Sequence, residues 1–304
     1  MKFISYKYQQ NYGCGYLEGN EVNQLFNGNF HSLNEFLIKL IKSDVDLSAN
    51  TDKFNKFNIH DVEIIAPLPS PNSFRDAYAF RQHVAAARKN RGVEMIPEYD
   101  EIPIFYFSNH NSMTGPGIVN VYEKHLDKLD FELEVAIIIG TEGMNIKASD
   151  ADQYIFGYTV LNDWSARGLQ MKEMKLNLGP AKGKDFASSI GPHITTLDTL
   201  NEYRIDSNGE SKYDIPLTAS VNGIQVSQDN LKNMTWSFAK IIERASYGTT
   251  LFPGDVIGSG TCGTGCFLEL NGSTDKKQWL QDGDVVEIDA GILGKLSNKI
   301  NLVK

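Results

Sequence analysis

The stretch Asp130-Phe131-Glu132-Leu133-Glu134-Val135-Ala136-Ile137-Ile138-Ile139 is the most informative segment of this chain for its fold. Its first half alternates acidic and apolar side chains, and its second half is apolar throughout. Because successive residues of a strand point to opposite faces, Glu132 and Glu134 share one face, and the apolar residues beside them take the other. The stretch therefore predicts a strand that carries two carboxylates into the core of a β-rich fold.

If the neighbouring carboxylates of Glu132 and Glu134 are buried, their negative charges must be neutralised. Side by side they repel each other and lose hydration, unless a cation neutralises them. An all-oxygen ligand set suits Mg²⁺, Mn²⁺ or Ca²⁺ and not Zn²⁺. The same alternation is also typical of a strand whose acidic face is wet, and Asp163, just past an apolar strand, fits either a ligand or a turn cap. At this point both interpretations stay open.

The composition is that of an acidic globular protein. The 304 residues include 29 Lys and Arg against 38 Asp and Glu, which gives a net charge of −9 and disfavours nucleic acid or an anionic membrane as partner. No apolar run reaches the roughly 18 residues of a membrane helix, and the first ten residues turn polar too early for a secretory signal. We therefore expect a cytoplasmic protein with no nucleic-acid and no membrane partner.

The chain is predicted to divide at its run of three prolines, Pro67, Pro69 and Pro71, into a small N-terminal α+β module at 1–70 and a main body at 71–304. In the module, a capping box at 32–35 predicts an amphipathic helix over 32–41, and 62–66 predicts a strand. Many strands and few helices favour an α+β, mainly β fold over a doubly wound sheet. The body is predicted to hold helices at 73–91 and 235–246 and strands at 104–108, 130–139, 154–161, 193–196, 217–221, 255–259, 267–270 and 285–288.

The segment from Ser73 to His83 supplies a carboxylate and an imidazole. On one helix, Asp76 and His83 would lie seven residues apart on nearly the same face, separated by about 10 Å along the axis. A small substrate could bridge that distance. Ser73 and Asp76 also fit a helix capping box, and a single histidine on a helix is commonly structural, so the spacing alone assigns no role.

Together these motifs resemble the fumarylacetoacetate hydrolase (fumarylacetoacetase) family over about residues 70–304. The resemblance implies a mixed β-sandwich roll with peripheral helices, usually assembled as a homodimer. The segments that carry it are Asp76-x-Tyr78-x-x-Arg81-Gln82-His83, Phe131-Glu132-Leu133-Glu134, Asn162-Asp163-Trp164-Ser165-Ala166-Arg167-x-x-Gln170, Gly183-Lys184-Asp185-Phe186, Asn222-Gly223, Leu251-x-Pro253-Gly254-Asp255-Val256-Ile257, Gly258-Ser259-Gly260-Thr261 and Leu268-Glu269-Leu270.

The resemblance also implies the residues of an active site. A divalent cation, Mg²⁺ first and Mn²⁺ or Ca²⁺ as alternatives, would be held by Asp76, Glu132, Glu134 and Asp163. His83 would be the general base oriented by Glu269, and Arg167, Gln170 and Lys184 would surround the reacting carbonyl. Substrate contacts would come from Tyr78, Tyr106 and Thr261, and from Arg91, with Arg88 as the alternative, toward a substrate carboxylate.

The implied reaction is hydrolysis of a C–C bond in a small anionic β-diketone, either a 2,4-diketo acid or a fumarylacetoacetate-like compound of aromatic catabolism. The His83–Glu269 pair would activate the water, and basic side chains would stabilise the alkoxide. Met174 stands where the family has a tyrosine, which puts fumarylacetoacetate itself in question. The alternatives are an acylpyruvase, oxaloacetate decarboxylase, isomerase or hydratase acting through a metal-bound enolate, or a non-catalytic metal- or ligand-binding homologue.

Overall fold

The structure, a computed structural model, describes residues 1–25, 55–90, 92–207, 210–270 and 279–304. The helix predicted over 32–41 lies outside these residues. Within them, no helix has the length and apolar character needed to cross a membrane.

Strands dominate the described residues, and three α-helices accompany them. The helices are α1 (Arg81–Asn90), α2 (Arg167–Glu173) and α3 (Phe238–Ala245). The strands are β1 (Lys2–Tyr8), β2 (Asn11–Glu18), β3 (Glu21–Gln24), β4 (Lys56–Asn58), β5 (Glu63–Ile65), β6 (Ser73–Ala77), β7 (Phe105–Ser108), β8 (Met113–Thr114), β9 (Gly117–Val121), β10 (Leu129–Asp130), β11 (Leu133–Ile139), β12 (Gly143–Met144), β13 (Ile155–Asn162), β14 (Ser165–Ala166), β15 (Ser188–Thr196), β16 (Arg204–Ser207), β17 (Glu210–Tyr213), β18 (Pro216–Val221), β19 (Ile224–Asn230), β20 (Thr250–Leu251), β21 (Asp255–Gly258), β22 (Val285–Asp289) and β23 (Lys295–Leu302).

Two sheets form the framework of the described residues. The larger has 12 strands, in the order β4-β3-β2-β1-β15-β13-β11-β21-β6-β7, with β5 beside β1 and β8 beside β15. The second has five, in the order β19-β18-β22-β23-β9. The pairs β6–β21, β8–β15 and β9–β23 are parallel within a framework that is otherwise antiparallel. This mixed, mainly β architecture with few helices confirms the predicted fold class.

Strand β11 lies between β13 and β21 and is buried along its whole length. Its odd-numbered residues, such as Ile137, belong to the larger hydrophobic core, whereas Ala136 and Ile138 belong to a smaller second core. Each fully buried isoleucine contributes about 1.5–3 kcal/mol. A strand with apolar partners on both faces explains why the second half of the quoted stretch is continuously apolar.

The helix predicted over 73–91 is wrong in its first part. Ser73–Ala77 form β6, which pairs in parallel with β21 and antiparallel with β7, and helix α1 begins only at Arg81. Pairing on both sides satisfies the backbone groups of β6, and Phe74 and Ala77 are buried. Asp76 and His83 therefore lie on different elements, and the seven-residue helical spacing has no role.

Two strand predictions also fail in part. The strand predicted over 130–139 is interrupted, because the amide of Phe131 donates to the Asp130 carboxylate and that of Glu132 donates to Oδ1 of Asn162. The segment predicted as a strand over 267–270 consists of turns. The other strands and the helix predicted over 235–246 are present within a few residues of the predicted bounds, except that the one predicted over 193–196 begins at Ser188.

The N-terminal strands extend the large sheet. Strand β1 pairs with β15 and also with β5, the strand predicted over 62–66. The division of the chain near residue 70 into module and body stays a prediction.

Candidate active site

Three carboxylates meet where β6 and β11 flank β21. Asp76 lies on β6, Glu134 on β11, and Glu132 just before β11; one oxygen from each lies within 4.8 Å of the others. All three residues are buried. Gly258 of β21 makes the approach possible, since a Cβ there would stand 2.3 Å from Oδ1 of Asp76. The structure thus brings together three of the four predicted metal ligands directly.

The fourth predicted ligand, Asp163, joins this group through Lys184. Oδ2 of Asp163 lies 2.9 Å from the Lys184 Nζ, which also donates to Oε2 of Glu132. Asp163 further accepts hydrogen bonds from Ser188 Oγ at 2.9 Å and from the Tyr106 hydroxyl. Although burial opposes its charge, Asp163 and Glu132 raise the pKa of Lys184 above its ordinary value. Lys184 is therefore a fixed cation between two carboxylates.

The charges of this cluster are unevenly compensated. Burial would raise the pKa of Glu132, but Lys184 and Arg167 outweigh it and lower that pKa to about 2. Burial, and to a smaller extent the charge of Asp163, raises the pKa of Asp76 to about 7. Burial, and to a smaller extent the charge of Asp76, raises the pKa of Glu134 well above its usual range. Oε2 of Glu134 is buried and accepts no hydrogen bond among the described residues. A hard divalent cation would supply the missing positive charge, and an all-oxygen donor set suits it.

His83 and Glu269 form a buried pair next to the carboxylates. Nδ1 of His83, on α1, lies 3.0 Å from Oε2 of Glu269, and His83 is close enough to Glu132 to lower its pKa. The Glu269 backbone is held by Asn90, whose amide donates to the carbonyls of residues 268 and 269 at 3.1 and 3.2 Å. With Nδ1 donating to a carboxylate, Nε2 is the basic nitrogen of the ring.

Arg167 begins helix α2, and its guanidinium is bound on three sides. Its nitrogens donate to Oδ2 of Asp130 at 2.9 Å, to Oε1 of Gln170 at 2.9 Å and to Oε1 of Glu132 at 2.7 Å. The predicted donors Arg167 and Lys184 therefore bind the two carboxylate oxygens of Glu132, and Gln170 is attached to Arg167. Burial raises the pKa of Asp130, whereas Arg167 and two backbone amides oppose that rise.

Asp130 is the site residue that the sequence analysis missed. It appeared there only as the start of a strand. A signal was present in the sequence. Asp130, Glu132 and Glu134 are alternate residues of the quoted stretch, so a strand would place all three carboxylates on one face.

The predicted substrate contacts have partners within the protein. Thr261 donates to Oε1 of Glu134 at 3.2 Å, and Tyr106 donates to Asp163, so each touches a predicted metal ligand. The Tyr78 ring packs edge-on against His83, with 5.8 Å between ring centroids. Arg88 donates to the carbonyl of Glu94. Arg91 lies outside the described residues, and its role stays a prediction.

A buried thiol adjoins the His83–Glu269 pair. Cys266 Sγ lies within 4.8 Å of a ring nitrogen of His83 and a carboxylate oxygen of Glu269. Burial raises the pKa of this thiol well above its usual range. Nothing in the spacing of the cysteines along the chain indicates this proximity.

Comparison with known proteins gives consistent results. Residues 72–301 match the family described as fumarylacetoacetate (FAA) hydrolase, C-terminal. Oxaloacetate tautomerase YisK of Bacillus subtilis (strain 168) is 30% identical over 251 residues, covering 80% of this chain and 75% of that protein. A fumarylacetoacetase of Arabidopsis thaliana is 27% identical over 309 residues, covering 82% and 72%. The structure of fumarylacetoacetate hydrolase from psychrophilic Exiguobacterium antarcticum superposes with a TM-score of 0.77 at 27% identity, with 100% of both chains covered.

Proposed function

This chain belongs to the fumarylacetoacetate hydrolase family, a family of enzymes, and from that premise we propose that it hydrolyses a C–C bond in a small diketo acid with the help of a divalent cation. The observation that carries the proposal is the buried His83–Glu269 pair beside the carboxylate cluster. A histidine backed by a carboxylate is suited to deprotonating water, which hydrolysis requires.

The cation would be held by Asp76, Glu132 and Glu134, with Asp163 beside them. Mg²⁺ is the preferred candidate, and Mn²⁺ or Ca²⁺ are alternatives, because all the donors are oxygens. When bound, the cation would supply Lewis acidity toward the oxygens of a 2-oxo acid. The buried, uncompensated Oε2 of Glu134 supports a cation at this place.

The proton chemistry would belong to His83 and Glu269. Nε2 of His83 would take a proton from water as the water adds to the distal carbonyl, and Glu269 would stabilise the imidazolium that forms. Arg167 and Lys184 would stabilise the charge that develops on the carbonyl oxygen. The C–C bond then breaks, its electron pair stays with the 2-oxo acid fragment, and that fragment takes up a proton. Water and the diketo acid thus give a carboxylic acid and a shorter 2-oxo acid.

A second candidate is keto–enol tautomerisation of a 2-oxo diacid such as oxaloacetate. The 30% identity to an oxaloacetate tautomerase over 80% of this chain favours it. The same base could move a proton between carbon and oxygen without consuming water. The two candidates therefore differ in whether water enters the product.

A substrate panel in labelled water tests the proposal. Acylpyruvates, fumarylacetoacetate and oxaloacetate are incubated with the protein and Mg²⁺ or Mn²⁺ in H₂¹⁸O. We expect cleavage of a diketo acid with one ¹⁸O in the new carboxylate. Interconversion of oxaloacetate tautomers without cleavage of any diketo acid would replace the hydrolase proposal with the second candidate.

Variants of the base test the assigned roles. His83→Ala should lower kcat by about 10²- to 10⁴-fold, as is typical on loss of a general base. Its Mg²⁺ affinity, measured by calorimetry, should stay close to that of the natural chain. The surface histidine His60 offers a control through His60→Ala. Undiminished turnover of His83→Ala would remove His83 from the reaction.

A further inference from the structure

We propose that Asp130 is a positioning residue that holds Arg167 and the Glu269-bearing turn in one arrangement. The proposal deepens the proposed function and rests on it only for the identity of the reaction. Asp130 itself is fully buried and lies beside the catalytic groups without being one of them.

The carboxylate of Asp130 accepts four hydrogen bonds. Oδ1 accepts from the amides of Phe131 at 3.0 Å and Phe267 at 2.8 Å. Oδ2 accepts from the amide of Leu268 at 3.0 Å and from Nε of Arg167 at 2.9 Å. Donors from three separate parts of the chain therefore share one carboxylate. Charge-assisted bonds of this kind are about twice as strong as neutral ones, so the arrangement is well determined.

The first consequence concerns the turn that carries Glu269. Asp130 binds the amides of Phe267 and Leu268, and Asn90 binds the carbonyls of Leu268 and Glu269 from the other side. Among the described residues this turn has no strand partner. It is held through its amides by Asp130 and through its carbonyls by Asn90. This support brings Glu269 within 3.0 Å of His83.

The second consequence concerns Arg167. Asp130 takes Nε, and this leaves the two terminal nitrogens for Glu132 and Gln170. Pairing in strands adds to this support, since Asp130 is opposite Ser165 and Leu129 is opposite Ala166, immediately before Arg167. The plane of the guanidinium is therefore set by Asp130 before any substrate arrives. A misplacement of about 1 Å in such groups can lower a rate about 100-fold.

An isosteric substitution isolates the role of the carboxylate. In Asp130→Asn, Oδ1 can still accept from two amides, but Nδ2 would face the Leu268 amide and Nε of Arg167, which are both donors. The chain offers a matched control in Asp255, a buried aspartate 3.7 Å from the buried Arg75. Asp255 accepts from Ser73 Oγ at 2.7 Å and from a backbone amide at 2.8 Å. Asp255→Asn therefore makes the same chemical change on other partners.

The kinetic test is a double-mutant cycle with Glu269→Gln. We expect Asp130→Asn to lower kcat by about 10- to 100-fold in the natural chain. In the Glu269→Gln background the same substitution should lower kcat by a clearly smaller factor, because the part of the loss that acts through Glu269 is already present and only the part that acts through Arg167 remains. Asp255→Asn should lower the melting temperature without this loss of kcat. Equal losses in both backgrounds, or equal kcat losses for Asp130→Asn and Asp255→Asn, would overturn the proposal.

A second variant keeps the test valid if Asp130→Asn does not fold. Asn90→Ala removes the support of the same turn from its exposed side and leaves the Asp130–Arg167 pair untouched. It should lower kcat, and this loss should vanish in the Glu269→Gln background, because Asn90 acts on the turn alone. Full activity of Asn90→Ala would mean that the turn needs no such support, which contradicts the proposal.

A spectroscopic readout is independent of the substrate. The proton between Nδ1 of His83 and Glu269 should give a downfield ¹H resonance in the natural chain and in Asp255→Asn. It should shift upfield or broaden in Asp130→Asn, as in Glu269→Gln. If no substrate of the panel turns over while these spectra behave as expected, the proposed reaction fails and the positioning role stands. An unchanged resonance in Asp130→Asn would refute the positioning role alone.

Discussion

The substitution Asp76→Asn should stabilise the metal-free protein at alkaline pH. Burial and then Asp163 raise the pKa of Asp76 from 3.8 to about 7. The folded state therefore binds this proton more tightly than the unfolded state. The resulting stability is fully present below pH 4 and is lost as the pH rises through 7. The pKa of Asp76 thus differs by about three between the folded and the unfolded state, and each pKa unit is equivalent to about 1.4 kcal/mol. At pH 8 the ionised carboxylate therefore lowers the free energy of unfolding by about 4 kcal/mol.

Asparagine removes this cost and keeps the local hydrogen bond. Its Oδ1 can still accept from the amide of Gly260, which lies 3.1 Å from Oδ1 of Asp76. In EDTA at pH 8, Asp76→Asn should therefore unfold at a higher urea concentration than the natural chain, by up to about 4 kcal/mol in the free energy of unfolding. At pH 5 the gain should fall to about 1 to 2 kcal/mol, because the Asp76 carboxyl of the natural chain is then protonated in the folded state.

Saturating Mg²⁺ should remove most of this advantage at pH 8. A ligand at 100 times its Kd adds about 2.7 kcal/mol to the natural chain, and Asp76→Asn, which lacks one of the proposed metal ligands, should gain much less. Urea titrations at pH 5 and 8, with EDTA or with Mg²⁺, measure all four values. Asp214→Asn, at an exposed carboxylate paired with Lys232, controls for the loss of one negative charge. If Asp76→Asn is no more stable than the natural chain in EDTA at pH 8, the folded state does not raise the pKa of Asp76, and the reasoning fails.

Three further predictions follow from single contacts. Burial, and to a smaller extent the charge of Lys2, lowers the pKa of His193 to about 4. The free energy of unfolding should therefore fall by up to about 3 kcal/mol as the pH drops from 6.5 to 4. Urea titrations of His193→Gln should not show this fall. Gly258→Ala should fold, as judged by circular dichroism, and should bind Mg²⁺ at least about tenfold more weakly in calorimetry, because its Cβ would displace Asp76. Zn²⁺ should inhibit turnover through the His83–Cys266–Glu269 set, and Cys266→Ser should raise the inhibitory Zn²⁺ concentration about tenfold without loss of Mg²⁺-supported turnover.

Strands with a strong local pattern could be predicted from the sequence. Strand β11 is continuously apolar because both of its faces are buried, and the turn between β18 and β19 follows from Asn222 and Gly223, whose φ angles are 52° and 77°. Each of these elements is specified by neighbouring residues, so a single chain is enough to recognise it.

Strand β6 could not be predicted in this way. Its five residues are held by β21, whose Asp255 and Gly258 pair with Ser73 and Asp76 some 182 residues earlier. Parallel pairing between strands so far apart in the chain has no signature in the local sequence. Because helix α1 follows closely, the helix was predicted to begin at Ser73 and not at Arg81. The carboxylate of Asp76 and the imidazole of His83 were thus assigned to one helix, although the site needs them on two elements.

The two strand errors near the site have a common cause in Asp130. Its carboxylate binds the amide of Phe131, which interrupts the strand predicted over 130–139, and the amides of Phe267 and Leu268, which keep 267–270 out of any sheet. A pattern of apolar residues predicts strand wherever backbone amides are expected to find backbone carbonyls. Here a side chain takes three of those amides, and the turn that results carries Glu269 to His83. Asp130 is therefore both the reason why these two strand predictions fail and the residue that connects distant segments of the chain at the candidate site.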